Sequence, residues 1–358
     1  MQSKLKMTCL LAMGLAGAAL LPSAFAAPAG YSFGSSASDA QVGPLEAAAR
    51  ASWRHDMAHV ATPAQGCFHA VYPSIVWQQV ACNDMAPRSH PVPRWHAFGI
   101  AQTNGSSQTT GNGNDYTIQT ASLISETVGS FPSVSGVTSE TGVGVASYGG
   151  GGILGANEYS LQINSSFNST TSACGGRSGC TIWQQFVYAP DYQTSGEASV
   201  FMQYWLIGYG GRRCPRSWGS DGYGDCYRNS AITVAPDVPA TDLASAKLTG
   251  TVTSGGNDTV VFTYGTNAYS SSGSDSVLYL SQVWNSSEFN VVGNAGGSEA
   301  DFNSGSSLTV NVAVNDGATS VPSCVANSGS TGESNNLNLG SCSAYGGSMP
   351  YIQFTESN

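Results

Sequence analysis

Two runs decide the reading of this chain: Thr181-Ile182-Trp183-Gln184-Gln185-Phe186-Val187-Tyr188-Ala189 and Val200-Phe201-Met202-Gln203-Tyr204-Trp205-Leu206-Ile207-Gly208-Tyr209. Both are rich in β-branched and aromatic residues, the types that suit a pleated, half-buried surface. A two-residue side-chain period puts Trp183, Gln185 and Val187 on one face of the first strand. It puts Phe201, Gln203, Trp205 and Ile207 on one face of the second. Each glutamine is then flanked by apolar or aromatic groups, where an unpaired amide costs about 1–3 kcal/mol. One reading is a concave, aromatic-lined cleft whose polar groups aim at a ligand. The other is that the glutamines bond to backbone at sheet edges, or to each other.

The same texture extends through the chain beyond Gly99. Gly-rich turns separate short runs of strand character at 116–123, 159–167, 182–189, 200–209, 247–253, 259–264, 276–280, 308–314 and 351–355. Many strands with no helices between them mean an antiparallel sheet protein and not a parallel α/β fold. The expected class is all-β, an antiparallel β-sandwich. The glycines after Tyr148 form a loop and not a phosphate cradle, because no Lys-Ser/Thr follows them and no helix opens there.

The N-terminal part is different. Lys4 and Lys6 precede the apolar stretch Met7 to Leu21, and Ala24-Phe25-Ala26 supplies a small-residue cleavage site. Residues 1–26 read as a secretory signal, which predicts an extracellular protein with no membrane span. Residues 27–98 hold the chain's best helix, started by Pro44 and running from Leu45 to Val60. Behind it, Cys67 to Cys82 encloses a short strand at Ile75 to Val80. The Pro-rich stretch Pro87 to Arg94 reads as an exposed linker. Residues 27–98 are thus expected to be a small helical, disulfide-tied prosegment or accessory module, and 99–358 the sandwich core.

Charge divides along the same line. The chain carries 12 basic and 22 acidic residues, a net charge of −10, which argues against nucleic acid or an anionic membrane as partner. All five histidines (His55, His59, His69, His90 and His96) lie in the N-terminal part. Removing the signal leaves eight cysteines in an oxidising compartment. Sequence leaves many pairings open. The simplest is local, joining Cys67 to Cys82, Cys174 to Cys180, Cys214 to Cys226 and Cys324 to Cys342, each bridge contributing roughly 2–4 kcal/mol. The spacing lacks C-x₂-C, so a cysteine metal site is not expected.

A core without histidine cannot by itself run Ser-His-Asp or Cys-His catalysis, nor build a histidine metal site. With Lys247 its one lysine, it is left with carboxylate chemistry, assisted by amides, or with binding alone. The segment Cys180 to Tyr192, with Trp183-Gln184-Gln185 and Ala189-Pro190-Asp191, resembles the Trp-Tyr-Glu-Trp-Tyr-Pro-Asp strand of eqolisin-type glutamic peptidases. The Trp-Gln strand followed by Phe201-Met202-Gln203-Tyr204-Trp205 is similar to stretches of neprosin-like glutamic peptidases. Val283-Trp284-Asn285-Ser286-Ser287-Glu288-Phe289 is similar to the Ala-Glu-Trp strand of eqolisins.

The resemblance implies a secreted β-sandwich peptidase with an N-terminal prosegment, acting at acid pH through a Glu–Gln or Glu–Glu pair. It implies a polypeptide substrate, no cofactor, no metal and a monomer. One departure matters: where the eqolisin strand has its glutamate, this chain has Gln185. A glutamine cannot act as general base, so a carboxylate must come from elsewhere. Glu288 is the first candidate, then Glu158 and Glu197. Gln185 and Glu288 are the expected catalytic residues, with Trp183, Gln203, Tyr204 and Trp205 contacting substrate. The competing reading is a noncatalytic carbohydrate-binding or adhesion protein whose aromatic face stacks on polysaccharide. A glycosidase, needing two carboxylates about 5–10 Å apart, is the third.

Overall fold

The computed structural model describes residues 39–83, 115–146, 150–166, 169–210, 213–326 and 331–358, all within the unit Ser36–Asn358. The residues expected to be a signal segment (1–26), the Pro-rich stretch expected to be a linker, His90 and His96 lie outside the described residues. One α-helix, α1 (Pro44–His59), starts as expected with Pro44 in its first turn, where a missing N–H costs nothing. Twenty-two strands follow among the described residues. They are β1 (Gly66–Val71), β2 (Gln78–Val80), β3 (Tyr116–Gln119), β4 (Glu126–Ser135), β5 (Glu140–Gly144), β6 (Gly155–Ala156), β7 (Tyr159–Ser165), β8 (Thr181–Thr194), β9 (Glu197–Ile207), β10 (Gly219–Ser220) and β11 (Cys226–Asn229). The remainder are β12 (Thr233–Ala235), β13 (Lys247–Thr251), β14 (Asn257–Tyr264), β15 (Asn267–Ser274), β16 (Ser286–Gly293), β17 (Ser298–Phe302), β18 (Ser307–Asn315), β19 (Ser323–Ala326), β20 (Ser334–Asn335), β21 (Asn338–Tyr345) and β22 (Tyr351–Ser357).

These form an antiparallel β-sandwich. The first sheet runs β2-β1-β15-β14-β13-β4-β18-β22-β21, and the second β10-β11-β9-β8-β7-β16-β3-β19, with β12 also on β9. A small sheet, β20-β17-β5-β6, stands beside them, its β17–β20 pair parallel. Alternate residues of the long strands meet between the two large sheets. Tyr188 stacks on Phe262 with centroids 4.0 Å apart, Phe186 on Trp284 at 5.6 Å, and Phe131 meets Phe289 at 5.2 Å. Two glycines let the sheets close: a Cβ at Gly129 would fall inside the Phe289 ring, and one at Gly250 would overlap Phe186.

The register of β8 on β9 pairs Trp183 with Trp205 and Gln185 with Gln203. Since Phe186 and Tyr188 fill the interior, Trp183, Gln185, Gln203 and Trp205 occupy the other face of the second sheet. Tyr204, one residue out of phase, points into the sandwich, where its hydroxyl lies 3.7 Å from the Met202 sulfur.

The N-terminal helix packs on the first sheet, of which β1 and β2 form one edge. Strand β1 pairs with β15 over six residues, from Gly66 opposite Ser272 to Val71 opposite Asn267. Trp53 and Met57 of α1 bury against Phe68, Ala70 and Trp77, together with Val261 and Ala268 of the sheet. The Arg54 guanidinium donates to the Gly265 carbonyl at 2.8 Å. All four disulfides are the local ones: Cys67–Cys82, Cys174–Cys180, Cys214–Cys226 and Cys324–Cys342.

One expected strand is not a strand. The stretch 276–280 falls on two 3₁₀ turns, Asp275–Val277 and Leu280–Gln282. Side chains there divert the backbone from a ladder: Ser274 Oγ accepts from the Ser276 N–H, and the Asp275 carboxylate takes both the N–H and the hydroxyl of Ser281.

Candidate functional site

Cross-strand register assembles a polar row on the face of the second sheet turned away from the first. Thr117 of β3 stands opposite Glu288 of β16, Glu288 opposite Asn164 of β7, Asn164 opposite Gln185 of β8, Gln185 opposite Gln203 of β9, and Gln203 opposite Asn229 of β11. Gln162 and Asn290, one step along, stand opposite each other. Apolar side chains close the row at both ends, Trp183, Trp205, Ile207 and Tyr227 on one side and Val187, Phe201 and Ile232 on the other. Glu288, Asn164, Gln162, Gln185 and Gln203 are each at most 3% exposed. The sequence therefore brings Gln185 and Glu288 into one row, but not into direct contact.

What joins them is a pair of amides the sequence reading did not single out. Gln185 Nε2 donates to Gln162 Oε1 at 3.0 Å. Asn164 Nδ2 reaches Gln162 Oε1 at 3.3 Å and Glu288 Oε1 at 3.4 Å. Asn164 Oδ1 is buried with no partner among the described residues, so the site has an acceptor to offer beside Glu288. The Trp205 indole donates to both Gln185 Oε1 and Gln203 Oε1, at 3.1 and 3.0 Å. Gln162 and Asn164 were open to discovery, since they alternate on a run already marked as strand.

Three further carboxyls reach this region from distant parts of the chain. Burial pushes the Asp115 carboxyl well above the usual carboxylate range, and the nearby Glu288 and Glu356 push it further. Glu333, buried against the amide of Gln162 and the hydroxyl of Thr331, is raised by burial to about 7. Glu356 is raised by burial to about 8, held back by hydrogen bonds from Asn290 and Asn335. Among the described residues no cation forms an ion pair with Asp115, Glu333 or Glu356; the acids in ion pairs there are Asp39, Glu46 and Glu126. Crowded carboxyls without cations retain protons toward neutral pH, which suits proton transfer.

The other two candidate carboxylates lie elsewhere. Glu158 accepts from Asn294 at 3.1 Å and belongs to a group with Asp191 and Asp237; burial raises it to about 7. Glu197 stands at the β8–β9 turn opposite Thr194. Trp183 and Trp205 are buried at 1% and 0% exposure, so neither ring presents a free stacking surface.

No family model matches the chain, and no curated protein matches it. Among solved structures the chain is similar to the crystal structure of scytalido-glutamic peptidase with a transition state analog inhibitor. The TM-score is 0.26 and the identity 11%, over 69% of this chain and 100% of that one. This is a weak resemblance of fold.

Proposed function

We propose that the protein is a secreted, acid-acting peptidase of the glutamic type, in which a carboxylate and side-chain amides activate water against a peptide bond. The observation that carries this is the contact of Glu288 with Asn164 Nδ2 at 3.4 Å, continued through Gln162 to Gln185. In this reading the Glu288 carboxylate takes a proton from water as the water oxygen bonds to the substrate carbonyl carbon. The oxyanion that forms is stabilised by the Asn164 N–H that turns from Glu288 to it as that carboxylate takes up the proton. Collapse of the tetrahedral intermediate breaks the C–N bond, and the proton held by Glu288 passes to the leaving nitrogen. Gln185, the expected amide partner, acts through Gln162. No step needs histidine, lysine or a cofactor.

The test is incubation of the protein with a denatured protein mixture from about pH 3 to 7, with products read by mass spectrometry. Cleavage that rises toward acid pH is expected. Retention on insoluble polysaccharide with no cleavage at any pH would overturn the peptidase reading in favour of the binding one.

A further inference from the structure

We infer that Trp205 and Ser160 are positioning residues, the two ends of a one-way hydrogen-bond relay that turns the NH₂ of Gln162 toward Glu333. The catalytic meaning of this relay rests on the carboxyl–amide reading of the site, but its existence does not.

The argument follows from which groups can only donate and which are left only to accept. An indole N–H has no acceptor capacity, so the atom of Gln185 that meets Trp205 Nε1 at 3.1 Å must be its oxygen. The Gln185 NH₂ is then the group that faces Gln162, and the Gln162 atom receiving it at 3.0 Å must be Oε1. The Gln162 NH₂ is left on the far side, 2.9 Å from Ser160 Oγ. Ser160 closes the relay from the other end. Its hydroxyl proton is committed to the Gly293 carbonyl at 2.8 Å, so its oxygen can only accept from Gln162.

Both ends thus dictate the same direction, from indole through two amides and a hydroxyl to a backbone carbonyl. Every member is buried at 3% exposure or less. In such surroundings a reversed amide would set oxygen against oxygen with no water to relieve it. Asn164 Nδ2 also donates to Gln162 Oε1 at 3.3 Å, which holds that oxygen from a third side.

The consequence is felt at Glu333. Its carboxyl meets the Gln162 side chain on the NH₂ side, and that hydrogen bond favours the ionised form against burial and against Glu288. The carboxyls bearing on this region are Glu288, Asp115 and Glu356, while Thr331 supplies the other side-chain hydrogen bond to Glu333. Trp205 therefore does more than fill space beside Trp183 and Tyr227, which it meets at 6.2 and 5.2 Å. A ring used only for packing would have no influence on a carboxyl three hydrogen bonds away.

Two measurements on the full chain test this, and neither reads turnover. Neutron diffraction of the unaltered protein is expected to place deuterium on the Gln162 nitrogen toward Ser160 and Glu333, and on the Gln185 nitrogen toward Gln162. Deuterium on the opposite side of either amide would overturn the inference. The second measurement is the Glu333 titration by carboxyl-carbon NMR in Trp205→Phe, in Ser160→Ala and in the double variant. With one anchor left, each single variant should shift Glu333 only slightly. The double variant, in which only Asn164 still holds the Gln162 oxygen, should raise it by more than the two single shifts together.

Gln203→Met, which removes a branch leading to Asn229 and not to Glu333, should leave that titration unchanged. A double variant that titrates like the unaltered protein overturns the inference. Should the double variant not fold, the deuterium positions decide alone. Failure of the peptidase reading would show as absent cleavage with the relay intact, so the two failures are distinguishable.

Discussion

His59 Nδ1 lies 2.8 Å from Glu126 Oε1, joining the end of α1 to the start of β4. That hydrogen bond raises the His59 pKa above its ordinary value. The other two described histidines behave oppositely: burial lowers both His55 and His69, the latter stacked on Tyr269. A raised histidine stabilises the folded state below its unfolded pKa of about 6.5, and the gain is lost as pH rises through the folded value. A lowered histidine does the reverse, costing stability as pH falls through about 6.5. His59→Gln should therefore lower the melting temperature at about pH 5.5 and leave it unchanged at about pH 9. The pair is partly exposed, so the loss should stay under about 1 kcal/mol. His69→Gln should gain on the unaltered protein as pH falls. Thermal melts across pH check both.

A second pH effect has the buried carboxyls as its source. Glu140 and Glu356 are raised to about 8, Glu158 and Glu333 to about 7, and Asp237 to about 6, each by burial first. For an acid raised in the folded state, the folded protein holds more protons than the unfolded chain between the two pKa values. Stability then falls as pH rises from about 4 to 8. The melting temperature should be highest in acid and drop steadily toward alkaline pH. Glu356→Gln should flatten the upper part of that curve, since the group no longer ionises. A melting temperature that climbs from pH 4 to 8 would contradict the assignment.

Processing near Phe98, as the sequence reading expects, would leave residues 39–83 held to the core without a disulfide. They are held by the six-residue β1–β15 ladder, by Trp53, Met57 and Phe68 against the sheet, and by Arg54 on the Gly265 carbonyl. After a cut in the connector, native mass spectrometry should find the N-terminal fragment still bound at neutral pH. Trp53→Ala, which also removes an indole hydrogen bond to the Ser74 carbonyl, should cost about 3–5 kcal/mol and favour release.

The residues show why some of this was legible beforehand and some not. Strands β8 and β9 carry aromatic and β-branched residues with a clear two-residue period, and α1 has Pro44 at its start. Strands β4 and β15 do not advertise themselves. Glu-Thr-Val-Gly-Ser-Phe-Pro-Ser-Val-Ser owes its extended form to ladders with the sequence-distant β13 and β18, and Asn-Ala-Tyr-Ser-Ser-Ser-Gly-Ser to its hairpin partner β14 and the distant β1. The row from Glu288 to Gln203 depends on the register of four strands, which no local pattern states. Glu333 and Asp115 reach it only through the chain's three-dimensional course. Tyr204 is the converse case: one residue from Gln203, it is turned to the other side of the sheet.

The most direct test of the proposed chemistry is Glu288→Gln. Glu288 is buried at 3% exposure, beside Asn164 Nδ2 and close enough to Asp115 to raise that carboxyl. A neutral amide of the same shape keeps an oxygen to accept from Asn164 and removes one of the crowded carboxyls. The substitution should therefore not lower the melting temperature at pH 7, and the Asp115 carboxyl should titrate at lower pH. What the amide cannot do is accept water's proton. A general base in this position is worth about 10²–10⁴ in rate, so peptide cleavage should fall by that factor across the acid range. Full activity in a folded Glu288→Gln variant would remove Glu288 from the mechanism and shift the search to Glu333, the carboxyl that the same amides reach through Gln162.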